Sequence, residues 1–214
     1  MASSRPAKQR SKARVGRPPT NDLVDRPVEQ DRRSIILEAA ARRFAECGFD
    51  GTSMRDIASL TGVLTGSLYY HYKSKENLFC AVHEEAIRVI SSKVADAVDH
   101  TADAWEQLEQ AATAYLQSLA ADSAYVSIII GETPRRRSGP LGERLIAHRD
   151  DFERHFTAIV EQLPLVPGID RTIWRLALLG MLAWTHVWFN PVDRIPANEM
   201  GRQLVSMLRE KTGC

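Results

Sequence analysis

The sequence predicts an all-α fold of about nine helices. Apolar residues recur at intervals of three and four along most of the 214-residue chain, which is the spacing of one helix face. No segment of any length alternates between polar and apolar residues as a half-buried strand does, and there is no internal repeat. Glycine and proline fall between the periodic segments, where helices end. We therefore expect an N-terminal unit of three helices and a larger helical domain behind it.

The first helix is expected from Glu29 to Cys47. Ile36, Ala40 and Phe44 lie at i, i+4 and i+8, so they form one apolar stripe. Gly48 can end the helix in the left-handed conformation. These apolar residues are expected in a core rather than in a site.

A second, short helix is expected to start near Met54. Thr52 or Ser53 can serve as its N-cap. Met54, Ile57 and Ala58 recur at i, i+3 and i+4, which gives the helix one apolar face.

A sharp turn at Gly62 leads into a third helix from about Thr65 to Tyr72, with Leu68 and Tyr72 facing inward. Its outward face suits the major groove of DNA. Hydroxyl groups can bind base edges or phosphates, glycine admits close approach, and aromatic rings can lie against a thymine methyl group. The candidate DNA-binding residues come from this helix, from the second helix and its start, and from the start of the fourth helix. They are Thr52, Arg55, Thr65, Gly66, Ser67, Tyr69, Tyr70, His71 and Lys75.

Specific stretches within residues 32 to 80 go beyond simple helix-turn-helix spacing: Ile36-Leu37-Glu38-Ala39-Ala40, Phe44 to Phe49, Thr52, Ile57-Ala58, Gly62-Val63, Gly66, Leu68-Tyr69, His71-Tyr72, Lys73-Ser74-Lys75-Glu76 and Leu78. In these residues the chain resembles the DNA-binding domain of TetR-family transcriptional regulators. Leu64 departs from the family pattern, which usually has Ser or Thr as N-cap of the recognition helix. Either Thr65 caps the helix instead, or the helix starts uncapped.

A basic arm precedes the first helix. Ser3 to Pro19 carries six Lys and Arg, no acid and almost no large apolar side chain, so residues 1–28 are expected to be disordered. The arm can follow phosphates or enter a narrow A·T-rich minor groove, where Arg17 is a candidate contact, or it can be a tail that aids solubility. Residues 1–80 hold 14 Lys and Arg against 9 Asp and Glu, and residues 81–214 hold 14 against 18, so positive charge is concentrated at the proposed DNA end.

A long fourth helix is expected from Ser74 to about His100, with Ser74 as N-cap. It joins a DNA-binding domain at residues 29–78 to a second domain at residues 79–214, so a shift of this helix can move the recognition helix. Helices five, six and seven are expected over about Ala104–Ala121, Ser123–Glu132 and Leu141–Gln162. A loop rich in proline and glycine separates the sixth helix from the seventh, and a second such loop follows the seventh.

The eighth helix, from near Asp170 to Asn190, is apolar almost all round, so every side of it must be covered. In so small a domain one flank stays bare unless a second subunit buries it. A ninth helix is expected from Pro196 to about Lys211. The TetR resemblance implies a homodimer through these two helices, with two recognition helices on two half-sites. Candidate interface residues are Ile173, Gly180, Ala183, Met200, Leu204 and Met207.

The resemblance also implies a pocket for a small-molecule effector between helices four to eight. Candidate lining residues are Trp105, Tyr115, Tyr125, Arg135, Phe152, Phe156, Trp184 and Trp188. Aromatic residues at helical spacing are more often plain core, and the arginine run at residues 135–137 either binds an acidic ligand or is a solvated loop. Leu64 before T-G-S-L-Y, with Trp188-Phe189-x-Pro191, is similar to TetR regulators that respond to acyl-CoA thioesters.

Catalytic and metal-binding motifs are not found, so we expect neither an enzyme nor a cofactor. Three cysteines without metal-like spacing, no signal peptide, and a longest apolar run of 14 residues indicate a cytoplasmic protein without a membrane span. The TetR resemblance implies that it is bacterial. The sequence thus predicts a ligand-responsive regulator, most simply a repressor that leaves a palindromic operator when its effector binds. Two alternatives remain open: an activator, or a helical ligand-binding or adaptor protein without sequence-specific DNA binding.

Overall fold

The computed structural model describes residues 25–121, 123–131, 137, 139–188 and 195–209. These residues form nine helices and no strand, which confirms the predicted all-α class. The helices are α1 (Asp25–Cys47), α2 (Met54–Thr61), α3 (Thr65–His71), α4 (Lys75–Ala97), α5 (Ala104–Ala120), α6 (Ala124–Gly131), α7 (Gly139–Val160), α8 (Arg171–Trp188) and α9 (Ala197–Arg209). None of the helices within these ranges is long and apolar enough to cross a bilayer. Helix α1 begins at Asp25, so residues 25–28, predicted to belong to the disordered arm, are helical instead.

The helix-turn-helix unit is fixed by local signals. Ser53 and Asp56 form a capping box at the start of α2: the Ser53 hydroxyl accepts from the Asp56 amide at 3.2 Å, and the Asp56 carboxylate accepts from the Ser53 amide at 2.9 Å. The Ser53 amide, and the Ser53 hydroxyl that donates to the same carboxylate at 2.8 Å, lower the pKa of Asp56. Gly62, with φ of 68°, ends α2 in the left-handed region. Helix α3 then starts at Thr65 without a side-chain cap, because its N-cap residue is Leu64.

Helix α4 connects two hydrophobic cores. Its first turns place Leu78, Phe79 and Val82 in the N-terminal core, and its later turns place Ile90 and Val94 in the second core. The N-terminal core also receives one buried side chain each from α6 and α7, Ile128 and Leu145. The core around the DNA-reading helices therefore extends beyond the predicted domain boundary at residue 78.

The second core is built from the later turns of α4 together with α5, α7, α8 and α9. Tyr115, Phe152 and Phe156 pack as an aromatic cluster, with ring centroids 5.3 to 6.3 Å apart. Helix α9 approaches α5 so closely that a Cβ atom on Gly201 would lie 2.7 Å from the Thr113 hydroxyl oxygen and 3.0 Å from its amide nitrogen. Only glycine therefore fits at this crossing without a shift of α9.

Candidate nucleic-acid interface and effector domain

The outward face of α3 is the most open polar and aromatic surface of the N-terminal unit. Tyr70 is 75% exposed, and Gly66, Ser67 and His71 are exposed beside it. A Cβ atom added to Gly66 would meet no atom within 4 Å, so no packing within the chain requires a glycine there. The Tyr70 and His71 rings meet edge to face at 5.4 Å. This face can follow a groove with hydroxyl, imidazole and backbone groups.

The remaining predicted DNA contacts that the structure describes lie around this face. Tyr69 is 46% exposed, Thr65 is half-buried, and Arg55 is exposed on α2. Lys73, which was not predicted as a contact, donates from its ammonium group to the Tyr70 carbonyl at 3.1 Å and holds the end of α3. Arg17, the contact proposed for the arm, lies outside the described residues.

Thr52 does not belong to the outward face. It is 2% exposed, and its hydroxyl donates to the carbonyl of Gly48 at 2.8 Å and lies 3.2 Å from that of Arg43. The prediction of a DNA-contacting Thr52 side chain is corrected, because this hydroxyl satisfies carbonyl groups at the end of α1. The residue joins α1 to α2.

Lys75 has an internal role that the sequence did not indicate. Its ammonium group donates to the carbonyls of Phe49 at 2.8 Å and Thr52 at 2.9 Å, and it lies 4.3 Å from the Phe49 ring centroid. These contacts bind the first turn of α4 to the loop between α1 and α2. Contact of Lys75 with phosphate stays a prediction, but its loss would also loosen this loop.

Arg137, two residues before α7, reaches the same loop from the other domain. Arg137 lies 3.3 Å from the Asp50 carboxylate, and its guanidinium carbon is 4.7 Å from the Phe49 ring centroid. Further along α7, Arg144 donates to the Asn77 side chain in the first turn of α4 at 2.8 Å. Arg137 was considered as a ligand contact with its neighbours, but the structure places it on the DNA-binding unit. Its predicted neighbour Arg135 lies outside the described residues.

A histidine pair lies where α4 packs on α7, with His83 buried and His148 half-buried. The Nδ1 atoms of His83 and His148 are 3.1 Å apart, and their rings stack. Burial, and the charge of His148 in second place, lower the pKa of His83 to about 4, and burial lowers the pKa of His148. The pair is therefore neutral at pH 7 and acts as a polar contact inside the interface. Sequence reasoning missed it, because the two residues are 65 positions apart and belong to no motif.

The predicted effector residues lie in three different surroundings. Trp105, Tyr115, Phe152 and Phe156 are buried in the second core, and burial raises the pKa of Tyr115 to about 12. Tyr125 is half-buried and packs against the N-terminal core instead, and burial raises its pKa to about 12.

Trp184 and Trp188 lie on the opposite side of α8. They are 62% and 54% exposed and face away from the second core. Their prediction as lining residues of an internal pocket is wrong, because the rotation of α8 directs Trp174, Leu178 and Leu182 inward in their place.

The outer side of α8 is an apolar face in the single chain. Its exposed large apolar residues, continued by Met207 of α9, are Ile173, Leu176, Trp184, Val187, Trp188 and Met207. Of the predicted interface residues, Ile173, Gly180 and Met207 lie exposed, and Ala183 and Leu204 are half-buried. Met200 is 4% exposed and packs within the chain's own core, so its prediction as an interface residue is corrected.

A surface cleft of about 430 Å³ lies between α5, α9 and the end of α4. It is lined mainly by polar side chains, including Glu106, Glu109, Gln110 and Arg202, and none of the predicted aromatic residues reaches it. Among the described residues, no three His, Cys, Asp or Glu side chains are grouped as metal ligands would be.

An exposed recognition helix on a three-helix unit, joined by one long helix to a separate helical core, defines a helix-turn-helix regulatory protein. Residues 36–82 match the bacterial regulatory proteins of the tetR family, and residues 101–212 match the tetracyclin repressor-like C-terminal domain. The chain therefore belongs to the TetR family, as its sequence predicted, and is a DNA-binding transcriptional regulator.

The comparisons include relatives over almost the whole chain. The HTH-type transcriptional repressor KstR2 of Mycobacterium tuberculosis (strain ATCC 25618 / H37Rv) is 28% identical over 196 residues, covering 86% of this chain and 96% of its own. The crystal structure of AibR in complex with isovaleryl coenzyme A and operator DNA has a TM-score of 0.70 at 26% identity, covering 82% of this chain and 97% of AibR. The structure of KstR2 of Mycobacterium tuberculosis, a ketosteroid transcriptional regulator, has a TM-score of 0.65 at 26% identity, covering 86% and 95%.

Proposed function

We propose that the protein is a homodimeric repressor that binds a palindromic operator and leaves it when an acyl-CoA thioester binds the second domain. The observation that carries the proposal is the outward face of α3, with Tyr70 75% exposed, in a chain whose relatives are named repressors. No catalytic step is part of this function.

Recognition of DNA is supported by the chemistry of that face. Tyr70 and His71 offer hydrogen-bonding groups on rings, and Gly66 leaves open space for the edge of a base pair. Arg55, exposed on α2, is placed to neutralise a phosphate. Phosphate contacts fix the orientation of α3, and base contacts then supply the specificity.

Dimerisation is supported by the apolar face of α8. Trp184 and Trp188 are each more than half exposed in the single chain, and a contiguous apolar surface of this kind marks a protein contact. A two-fold dimer built on this face contains two copies of α3. Two half-sites can then be bound at once, which raises the affinity far above that of one copy.

An acyl-CoA effector is supported by AibR, which was solved with isovaleryl coenzyme A and operator DNA. An acyl chain requires an apolar site, and the cluster of Tyr115, Phe152 and Phe156 between α5 and α7 offers one. These rings are packed against each other in the described structure, so the effector would have to separate α7 from α5 or turn a ring aside.

Such a movement of α7 has a direct connection to the DNA-binding unit. Arg137 and Arg144 contact Asp50 and Asn77, and the histidine pair joins α7 to α4. Displacement of α7 would therefore pull on the loop before α2 and on the start of α4 together. This is a concrete means by which effector binding changes the position of α3.

The test is fluorescence anisotropy with duplexes from the DNA upstream of the gene, followed by titration with isovaleryl coenzyme A. Arg55→Ala should weaken binding and reduce the slope of log K against log salt by about one. Arg154→Ala is the matched control, since Arg154 is also exposed but lies on α7. Tyr70→Ala should weaken binding to the upstream duplex that the wild-type protein binds best more strongly than it weakens binding to unrelated DNA.

The alternatives give different results. An adaptor protein would bind no duplex better than unrelated DNA at any salt concentration. An activator would bind the operator, but deletion of its gene would lower rather than raise expression of a reporter placed behind that operator.

A further inference from the structure

Leu64 is the N-cap of the recognition helix and is 81% exposed, more than any other large apolar side chain among the described residues. It makes no side-chain hydrogen bond to the first turn of α3, whereas Ser or Thr at this position would supply one. An apolar residue is therefore unfavourable here for two reasons: it leaves the helix uncapped, and it exposes a large hydrocarbon surface to water.

Packing within the chain does not account for this residue. The Leu64 carbonyl accepts from the Leu68 amide at 3.1 Å, so the backbone of Leu64 is fixed as part of the first turn while its side chain projects outward. Two residues later, Gly66 has no atom within 4 Å of where its Cβ would lie. The start of α3 is thus an apolar projection beside open backbone, at the end of the helix that meets base edges in helix-turn-helix proteins.

The chemistry of the major groove identifies a partner for such a group. Thymine is the only base that presents a methyl group there, and apolar side chains contact it. Leucine can satisfy neither the exocyclic amine of cytosine nor that of adenine, so it disfavours these bases by leaving a polar group desolvated. We propose that Leu64 is a specificity-determining residue that contacts the C5 methyl group of a thymine in each operator half-site. This inference rests on the proposed function, because it requires operator binding through α3.

The experiment removes the methyl group from the DNA and the side chain from the protein. The operator is first enriched from random duplexes with the wild-type protein, and each thymine is then replaced by deoxyuridine, which lacks only the C5 methyl group. One thymine position in each half-site should be sensitive to this replacement. When it is changed in one half-site, the wild-type protein should bind about fourfold more weakly, as expected for the loss of one buried methyl group. When it is changed in both half-sites, binding should be about fifteenfold weaker.

Leu64→Ala should weaken binding to the thymine duplex and should bind the thymine and deoxyuridine duplexes equally, which is the signature of a direct contact in a double-mutant cycle. Leu64→Ser should also bind the thymine duplex more weakly and make no distinction between the two duplexes. It should in addition raise the melting temperature of the protein, since serine restores the N-cap of α3. Val166→Ala, at an exposed apolar residue in the loop between α7 and α8, is the control and should keep the full methyl dependence.

Two results would overturn the inference while leaving DNA binding intact: a wild-type protein indifferent to every deoxyuridine, or Leu64→Ala and Leu64→Ser variants that keep the wild-type methyl dependence. If the wild-type protein enriches no duplex at all, the proposed function fails, and the role of Leu64 fails with it.

Discussion

Replacing Trp184 tests the proposed dimer more directly than any other single change on α8. The side chain is 62% exposed in the single chain and carries a large apolar surface on the outer face of the helix. Trp184→Ala removes that surface without creating a cavity in the chain's own core. The folded protomer should therefore keep its stability while the dimer loses affinity.

The expected magnitude follows from the exposed fraction. A tryptophan side chain has roughly 250 Å² of surface, so about 150 Å² of Trp184 remains to be covered by a partner. At about 25 cal/mol per Å², covering it contributes up to about 4 kcal/mol per copy, and a two-fold interface contains two copies. Interfaces realise only part of this area term, so a loss of about 3 kcal/mol for the dimer is expected, which raises Kd by about a hundredfold.

Sedimentation velocity from about 0.1 to 50 µM protein measures this change, since an increase of two decades in Kd shifts the midpoint across the range. Ile35→Ala is the matched control, because Ile35 is 54% exposed but lies on α1. A Trp184→Ala protein with the wild-type Kd would refute the proposed interface. If the variant instead changed only the response to isovaleryl coenzyme A, the earlier prediction of Trp184 as a pocket residue would be restored.

Three further predictions concern the connections inside the chain. Lys75→Ala should lower the free energy of unfolding in urea by about 1 to 2 kcal/mol, because two backbone carbonyls lose a charged donor; weaker DNA binding at unchanged stability would instead indicate a phosphate contact only. The pKa of His83 is about 4 in the folded chain against 6.5 for the unperturbed group, so between these values the unfolded chain binds a proton that the folded chain does not. The contribution of His83 to the free energy of unfolding is therefore fully present above pH 6.5 and is lost as the pH falls toward 4. Between pH 7.5 and 5.5 the wild-type protein should accordingly lose about 1 kcal/mol more than His83→Gln in urea titrations, and equal losses would contradict the buried neutral pair. Gly201→Ala should lower the melting temperature through a loss of about 1 to 3 kcal/mol, since its Cβ would lie 2.7 Å from the Thr113 hydroxyl; an unchanged melting temperature would show that α9 can move off α5 at little cost.

Much of the N-terminal unit was predictable because its signals are local. The capping box of Ser53 and Asp56, the left-handed Gly62 and the apolar face of α2 each involve residues within four positions of one another. The same holds for the exposed face of α3, since a short helix with Leu68 inward must direct Tyr70 outward. Family, fold class and the exposure of most of the proposed DNA-contacting residues follow from such short-range patterns.

The burial of Thr52, the anchoring of Lys75 and the contact of Arg137 with Phe49 depend on where distant segments meet. Thr52 carries a hydroxyl that suits a phosphate or a helix end equally well, and only the position of the last turn of α1 decides between them. Arg137 is 87 positions from its ionic partner, so no local pattern indicates this contact.

Helix α8 shows the limit most clearly. Its sequence determined that both sides are apolar, and the structure leaves one of these sides exposed in the single chain. In an amphipathic helix, the apolar stripe shows which side faces the core. A helix that is apolar all round has no such stripe, so its sequence does not show which side is inward. Only the packing of Trp174, Leu178 and Leu182 against the neighbouring helices decided which side became the core, and that choice left Trp184 and Trp188 on the outside.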